Sequence, residues 1–197
     1  MEIPTARERV LQRSLGAVLT PMVDFELMEG VHGFRPCRSP HTALAHALTY
    51  AEKRKAYCWI KVDVKDAFGQ IPHGRLIQVL RRKWEDEELL ALVERLIDRK
   101  PRGIPQGAPL SPMMLNIYLD HFLDRPYSRS MKETGYIRFA DDILIMAQSE
   151  KEANQALSQM VEILRPHGLT LNDRKTVKAN LEEKELIYLG MGITLSE

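Results

Sequence analysis

Three aspartates stand where apolar runs of the chain end or meet. Asp63 lies near the end of the run 57–64, and the adjacent pair Asp141 and Asp142 separates two further apolar runs. Neighbouring side chains of one strand point to opposite faces, so the pair could act together only in a tight turn between two strands. Two like charges held side by side cost energy, which a cation that prefers oxygen ligands, such as Mg²⁺, would offset. An ordinary solvated turn is the alternative.

The composition sets bounds on the class of protein. The 197 residues are 44% hydrophobic and 28% charged, which is typical of one globular domain with a buried core. The net charge of +1 gives no overall basic field, so nucleic acid binding would need local clusters of Lys and Arg. Cys37 and Cys58 lack metal-ligand spacing and predict no disulfide framework, so a cytoplasmic location is expected. No apolar run predicts a membrane span.

Helices and one strand are predicted for the first part of the chain. Residues 5–8 form a capping-box pattern that predicts a helix up to Pro21, and residues 24–33 predict a loop. Ser39 and Pro40 are the N-cap and the first residue of a second predicted helix.

The strand predicted over residues 57–64 carries Asp63 near its end. A carboxylate there costs free energy unless it caps, pairs or binds a metal. Phe68 follows in a turn region, and core packing is the simple interpretation of a lone aromatic side chain. Two helices are predicted next, over residues 75–83 and 85–99.

A loop with fixed shape is predicted over residues 102–112, because Gly and Pro punctuate it. Such loops are common in proteins without catalytic activity. The position between Pro105 and Gly107, however, is an unusual one for the flexible amide side chain of Gln106. Ser111 and Pro112 predict the cap of the next helix. After the aspartate hairpin, a capping box at residues 149–152 predicts a further helix.

The order of these elements predicts an α+β fold. Gly168 is expected to end the last helix, and residues 169–171 and 186–189 predict short strands. Together they build an antiparallel sheet of the split βαβ type with helices on one face. The three aspartates would then meet at one edge of the sheet. Two-metal phosphoryl transfer needs such an arrangement, with the ions about 4 Å apart.

Two arginines, Arg35 and Arg38, lie in the loop before the second helix. At a helix N-terminus they could contact phosphates. Equally, they could be surface arginines paired to acids, and position alone leaves both alternatives open.

Seven motifs in register give the chain a resemblance to the reverse transcriptase domain of the bacterial group II intron type, including relatives associated with CRISPR loci. The motifs are Ile3–Thr5, His32–Ser39, Val62–Phe68, Gly103–Pro112 with Asn116–Leu119, Phe139–Asp142, Gly168–Asn172 with Lys175, and Tyr188–Gly190. The resemblance implies a polymerase palm-like sheet with a partial fingers subdomain.

The resemblance also implies a role for each carboxylate. Asp63, Asp141 and Asp142 would be the catalytic, metal-binding residues, with the carbonyl of Val64 as a further ligand. Two Mg²⁺ ions are the expected cofactors, with Mn²⁺ as a substitute.

Five positions resemble the nucleotide site of the family, and one of them is Val64. Phe68 matches the steric gate that excludes a ribose 2′-hydroxyl. Gln106 and Gly107 match the loop that lies on the incoming nucleotide and the template base. Lys175 matches a lysine near the triphosphate that is placed to protonate pyrophosphate.

Template and primer contacts are implied at two further places. Arg35 and Arg38 fall in a fingers motif that would contact template or nucleotide. Tyr188, Leu189 and Gly190 resemble the primer grip.

The resemblance divides the chain into partial fingers at 1–56, palm at 57–72, fingers and palm helices at 73–102, and palm at 103–197. Members of this family normally have a basic β-hairpin upstream and a helical thumb downstream, and the matched motifs leave no room for either. The hairpin expected before Gly103 is reduced to residues 99–102.

The function implied is RNA-directed DNA synthesis, with an RNA template, a DNA or RNA primer and deoxynucleoside triphosphates as partners. A partner chain could supply the thumb or the fingers. The alternative is a catalytically weak remnant that binds RNA or protein, which the reduced fingers and the missing thumb favour. A nucleotide cyclase is a third hypothesis, since fold does not fix function, and the 103–111 loop argues against it.

Overall fold

The computed structural model describes residues 4–97 and 102–195. Its helices and strands in chain order are α1 (Ala6–Glu26), α2 (Pro40–Arg54), β1 (Cys58–Asp63), α3 (Ala67–Gln70), α4 (His73–Lys83), α5 (Glu87–Ile97), α6 (Ser111–Leu119), α7 (Arg125–Ser130), β2 (Gly135–Phe139), β3 (Asp142–Ala147), α8 (Glu150–Leu164), β4 (Val177–Asn180), β5 (Leu186–Tyr188) and β6 (Met191–Ile193). A π-helical turn spans Asp120–Asp124, and 3₁₀ turns span Arg165–His167 and Asp173–Lys175.

The described residues divide into two compact units. The first contains those up to Leu27 together with Asp66–Phe122, and the second contains Met28–Lys65 together with those from Leu123 onward. The fingers and palm boundaries expected from the sequence follow the family resemblance, whereas these two units are defined by their compactness. The fingers and palm boundaries therefore stay a prediction.

The second unit is built on a four-stranded antiparallel sheet in the order β2-β3-β1-β4. Because β3 lies between β1 and β2 and runs antiparallel to both, the sheet has the predicted split βαβ arrangement. The α+β fold class is confirmed. A separate two-stranded hairpin joins β5 to β6.

Alternating side chains of the sheet form the core of this unit. Helix α2 packs against β2 and β3, and α8 packs against β1 and β3. Small residues on α2 let it approach the strands closely. The core cluster includes Ala43, Ala47, Ala51, Trp59, Ile137, Leu144 and Met146.

The first unit is helical. Helix α6 packs against α1, α3 and α4, and α4 also packs against α5. The apolar stripes predicted for α4 and α5 are buried, including Leu76, Leu80, Leu90 and Val93. Among the described residues of either unit, no helix combines the length and apolar character that crossing a membrane requires.

Two local predictions in the first unit are wrong. Helix α1 does not stop at Pro21 but continues to Glu26, because Leu19 and Val23 are buried on either side of the proline and their packing offsets the lost hydrogen bond. Ser111 is not the cap of α6 but its first residue. Its hydroxyl donates instead to the carbonyl of Pro105 at 2.6 Å, which ties the helix to the preceding loop.

The cap predictions for α1 and α2 are confirmed, since Thr5 with Glu8 and Ser39 with Thr42 form capping boxes. At α8 the box is incomplete: Ser149 accepts from the Glu152 amide, but Glu152 accepts from Gln148 rather than from Ser149.

Strands β4 and β6 were not predicted from the sequence, because they are short and weakly patterned. Residues Ile3 and 98–101, which contribute to one motif and to the reduced hairpin, lie outside the described residues.

Candidate active site

The aspartate pair lies at the predicted hairpin, with Asp141 in its two-residue turn and Asp142 as the first residue of β3. Ala140 and Asp141 connect β2 to β3, and Phe139 pairs with Asp142 across the turn. Ala140 has φ 58°, whereas Asp141 has no positive φ, which is the pattern of a type II′ turn. Glycine is favoured at that first position, so alanine there costs about 1–3 kcal/mol that the surroundings must offset.

Strand register places Asp63 opposite Asp142. The two residues are partners at the end of the β1–β3 ladder, and Asp141 precedes Asp142 in the turn. Asp63 is 4% exposed, and its Oδ2 accepts a hydrogen bond from Lys175 Nζ at 3.0 Å. Its other oxygen, Oδ1, is buried without a hydrogen-bond partner. A buried carboxylate oxygen in that state is costly unless a cation binds it.

The electrostatics of the turn favour an added positive charge. Burial raises the pKa of Asp141, and a hydrogen bond from its own backbone N–H acts against this while Asp63 adds to it. Burial also raises the pKa of Asp142, where Lys61 acts against it and both other aspartates add to it. Asp63 thus acts on both Asp141 and Asp142, in agreement with its place opposite Asp142 in the register.

The carboxylate set fits a hard divalent cation in its chemistry, because oxygen ligands and an unpaired buried Oδ1 are what such an ion binds. Within residues 4–97 and 102–195, no three His, Cys, Asp or Glu side chains are arranged closely enough to form a ligand cluster by themselves. The three carboxylates thus lie at one edge of the sheet, but they do not by themselves surround a metal ion. Val64, the further predicted ligand, is fully buried and bridges to Leu171.

The segment that carries Lys175 is attached to the end of β1. The amide of Lys65 donates to the Thr170 carbonyl at 2.8 Å, and the amide of Asn172 donates to the Asp63 carbonyl at 2.8 Å. The following 3₁₀ turn brings Lys175 to Asp63. Its hydrogen bond to Asp63 raises the pKa of Lys175, so the ammonium form is favoured.

Three contacts support the turn, two of them through backbone and one through the side chain of Arg138. The amide of Val64 donates to the Asp141 carbonyl at 3.0 Å. On another side, Gly33 packs directly against the backbone of Ala140. Arg138 on β2 donates through Nη1 to the Ala140 carbonyl at 2.8 Å and pairs with Asp124.

The sequence did not predict a supporting role for these residues. Arg138 did give a signal, because it is a lone charge between Ile137 and Phe139 in an apolar run, and a buried charge needs a partner. Nothing in the sequence pointed to Asp124 as that partner, and Gly33 was part of the His32–Ser39 motif without a predicted role.

The two fingers-motif arginines bind backbone of their own loop. Arg35 Nη1 donates to the carbonyls of Met28 and Val31, both at 2.9 Å. Arg38 Nη1 donates to the Glu29 carbonyl at 3.4 Å. Both side chains are half-buried, so their first role is to shape the loop, and template contact stays a prediction.

The primer-grip-like segment forms the turn between β5 and β6. Leu189 and Gly190 have φ 50° and 80°, the pattern of a type I′ turn, and Tyr188 pairs with Met191 across it. Tyr188 is fully buried, and burial raises the pKa of its hydroxyl.

The nucleotide-site candidates Phe68, Gln106 and Gly107 belong to the first unit. Phe68 is half-buried on α3, and its carbonyl accepts from the Ile104 amide at 2.8 Å. Gly103, with φ 90°, lies so close to α3 that an added Cβ would be 2.7 Å from the Gly69 carbonyl oxygen. The loop is thereby held beside Phe68, with Gln106 and Gly107 exposed.

Comparison with known families gives a match over residues 1–193 to the reverse transcriptase (RNA-dependent DNA polymerase) family. Among individual proteins, the group II intron-encoded protein LtrA of Lactococcus lactis is 32% identical over 133 residues, which cover 62% of this chain and 22% of LtrA. The protein YkfC of Escherichia coli is 24% identical over 200 residues, covering 80% of this chain and 52% of YkfC.

Similar solved structures support the same fold. Apo telomerase from Candida tropicalis superposes with a TM-score of 0.72 at 12% identity, over 94% of this chain and 39% of the telomerase chain. The chain spans only 18% and 15% of two intron-encoded yeast proteins that it also matches at 32% identity, from Schizosaccharomyces pombe and Saccharomyces cerevisiae.

Proposed function

Because the chain belongs to the reverse transcriptase (RNA-dependent DNA polymerase) family, we propose that it extends a primer with deoxynucleotides on an RNA template. The primer 3′-oxygen bonds to the α-phosphorus of the triphosphate, the bond to pyrophosphate breaks, and the hydroxyl proton leaves to solvent. Catalysis of this kind consists of positioning and charge stabilisation.

The observation that carries the proposal is the pairing of Asp63 with Asp142 beside the turn residue Asp141, with Asp63 Oδ1 buried and unpaired. These three carboxylates would hold two Mg²⁺ ions, with Mn²⁺ able to replace them. Bound there, the ions would lower the pKa of the 3′-hydroxyl and neutralise the developing charge on the phosphates.

Other residues have proposed roles that follow the family resemblance. Lys175 is protonated beside Asp63 and would donate a proton to pyrophosphate as it leaves. Phe68 would exclude a 2′-hydroxyl, while Gln106 and Gly107 would lie on the nucleotide.

Template and primer would be held by other elements. Arg35 and Arg38 would shape and line the template side, and the turn at Tyr188–Gly190 would support the primer end. Whether a second chain supplies a thumb or fingers is decided by the same experiment that tests the polymerase.

The test is extension of a DNA primer annealed to an RNA template with Mg²⁺ and deoxynucleoside triphosphates. Wild-type extension that is lost on Asp141→Asn or Asp142→Asn supports the proposal. Glu162→Gln is the matched control, because Glu162 lies on the solvated face of α8, and it should extend like the wild type.

No extension by the wild type, with RNA still bound, would contradict the proposal for this chain alone. Activity restored by adding a candidate partner protein would then assign the thumb or fingers to that partner. Failure with every addition would leave the RNA-binding remnant as the better description.

A further inference from the structure

A buried ion pair lies directly behind the aspartate turn. Arg138 and Asp124 both have no exposed side-chain surface. Arg138 Nε donates to Asp124 Oδ1 at 2.8 Å, and Nη2 donates to Oδ2 at 2.6 Å. The Tyr136 hydroxyl donates to Asp124 Oδ1 at 2.6 Å, so the carboxylate is held by two residues of β2 that are two positions apart.

The remaining arm of the guanidinium reaches the turn. Arg138 Nη1 donates at 2.8 Å to the carbonyl of Ala140, the peptide group that leads into Asp141. The Arg138 backbone is fixed as well, because its amide donates to the Gly30 carbonyl and its carbonyl accepts from the His32 amide, both at 2.8 Å. The guanidinium is thus held by Asp124 on one side and directs Nη1 at the Ala140 carbonyl on the other.

Stability alone does not account for this arrangement. The desolvation of two buried charges offsets their attraction, so apolar side chains of similar size often serve the fold equally well. The turn, however, has a specific requirement, since Ala140 adopts φ 58° without being glycine. A directed hydrogen bond to its carbonyl favours that conformation over the relaxed alternatives.

We propose that Arg138, oriented by Asp124 and Tyr136, is a positioning residue that fixes the Ala140–Asp141 peptide and so presents the Asp141 and Asp142 carboxylates together to a divalent cation. This inference rests on the proposed function for its catalytic consequence. Its effect on cation binding can be measured independently.

The test replaces the whole polar cluster by apolar side chains in the variant Asp124→Leu/Tyr136→Phe/Arg138→Met. No buried charge is left without a partner, so the fold is expected to keep a melting temperature close to that of the wild type. The hydrogen bond to Ala140 is lost. We expect kcat for primer extension to fall on the order of 100-fold, with little change in the KM for nucleotide.

Mn²⁺ binding, followed by electron paramagnetic resonance, gives the readout that does not depend on activity. We expect the apolar variant to bind Mn²⁺ about tenfold more weakly or worse. Adding Ala140→Gly to it should restore part of the affinity, because glycine adopts positive φ without strain. Tyr136→Phe alone removes one of the contacts that hold Asp124 but keeps the Arg138–Asp124 pair, so it should weaken Mn²⁺ binding less than the triple variant does.

Wild-type Mn²⁺ affinity and kcat in a folded apolar variant would overturn the inference, as would a wild type that binds no Mn²⁺. If the wild type binds Mn²⁺ but does not extend primers, the proposed function fails and the Mn²⁺ titration alone decides the positioning role.

Should the apolar variant not fold, Arg138→Lys replaces it. Lysine keeps the charge beside Asp124. Its single ammonium group cannot reproduce the planar guanidinium, which binds Asp124 and the Ala140 carbonyl at the same time. Weaker Mn²⁺ binding at an unchanged melting temperature supports positioning, and unchanged binding overturns it.

Discussion

Gly33 lies against the backbone of Ala140 so closely that a Cβ on Gly33 would be 2.1 Å from the Ala140 amide nitrogen. No side chain fits there, because the neighbouring atoms are backbone and cannot rotate away. The loop that contains Gly33 thus packs against the backbone of the aspartate turn. Hydrogen bonds to the backbone of Arg138 join this loop to β2.

Gly33→Ala should therefore displace the turn and lower the free energy of unfolding by about 1–3 kcal/mol. Primer extension should fall further than the loss of folded protein explains. Chemical denaturation and steady-state kinetics measure the two effects. Gly74→Ala on α4 is the control, since nothing lies within 4 Å of its added Cβ, and it should be neutral or stabilising by up to about 1 kcal/mol.

Neutralising the Asp142 carboxylate should stabilise the protein while abolishing its proposed activity. Because burial raises the pKa values of Asp141 and Asp142 in the folded state, the charged forms disfavour folding at neutral pH. We expect Asp142→Asn, measured without divalent metal, to raise the Tm by about 1–3 °C. A Tm below that of the wild type would show that the charges are compensated within the fold. Glu162→Gln should leave the Tm unchanged.

Acid should destabilise the second unit through His32. Burial, followed by the nearby charges of Arg38, His46 and Arg35, lowers the His32 pKa from 6.5 to about 4. Between those pH values the unfolded state binds the proton and the folded state does not, so the free energy of unfolding falls as the pH is lowered from 6.5 to about 4. The full pKa shift of His32 corresponds to a loss of roughly 3 kcal/mol from the free energy of unfolding.

The measurement is urea denaturation at several pH values for the wild type and His32→Gln. The variant lacks the titrating ring, so its stability should depend less steeply on pH in this window. His41→Gln, at an exposed position of α2, should keep the wild-type slope. Equal slopes for the wild type and His32→Gln would contradict the prediction.

Phe68→Val should relax discrimination against ribonucleotides if Phe68 acts as the gate. The smaller side chain leaves room for a 2′-hydroxyl, so the ratio of kcat/KM for deoxynucleotides to that for ribonucleotides should fall about tenfold or more. Single-nucleotide incorporation measures the ratio. Phe25→Val is the matched control, because Phe25 is 93% exposed on α1. An unchanged ratio in Phe68→Val would assign Phe68 to packing instead.

The sequence by itself determined the parts that depend on local pattern. A run rich in β-forming residues predicted β1, two short apolar runs predicted the hairpin of β2 and β3, and the adjacent aspartates between them predicted a tight turn. The order of the motifs then predicted the family, and the order of the elements predicted that the strand of Asp63 neighbours the aspartate hairpin. These predictions hold because strand periodicity and turn chemistry are read over a few neighbouring residues.

Only the tertiary structure decided what holds the turn in place. Asp124 is the partner of Arg138 because packing brings together two residues that are 14 positions apart on different elements. Gly33 meets Ala140 across more than a hundred residues of chain, through a backbone approach that leaves no periodic signal. Burial, register and close contact between distant segments select such partners, and no local pattern of residue types contains that information.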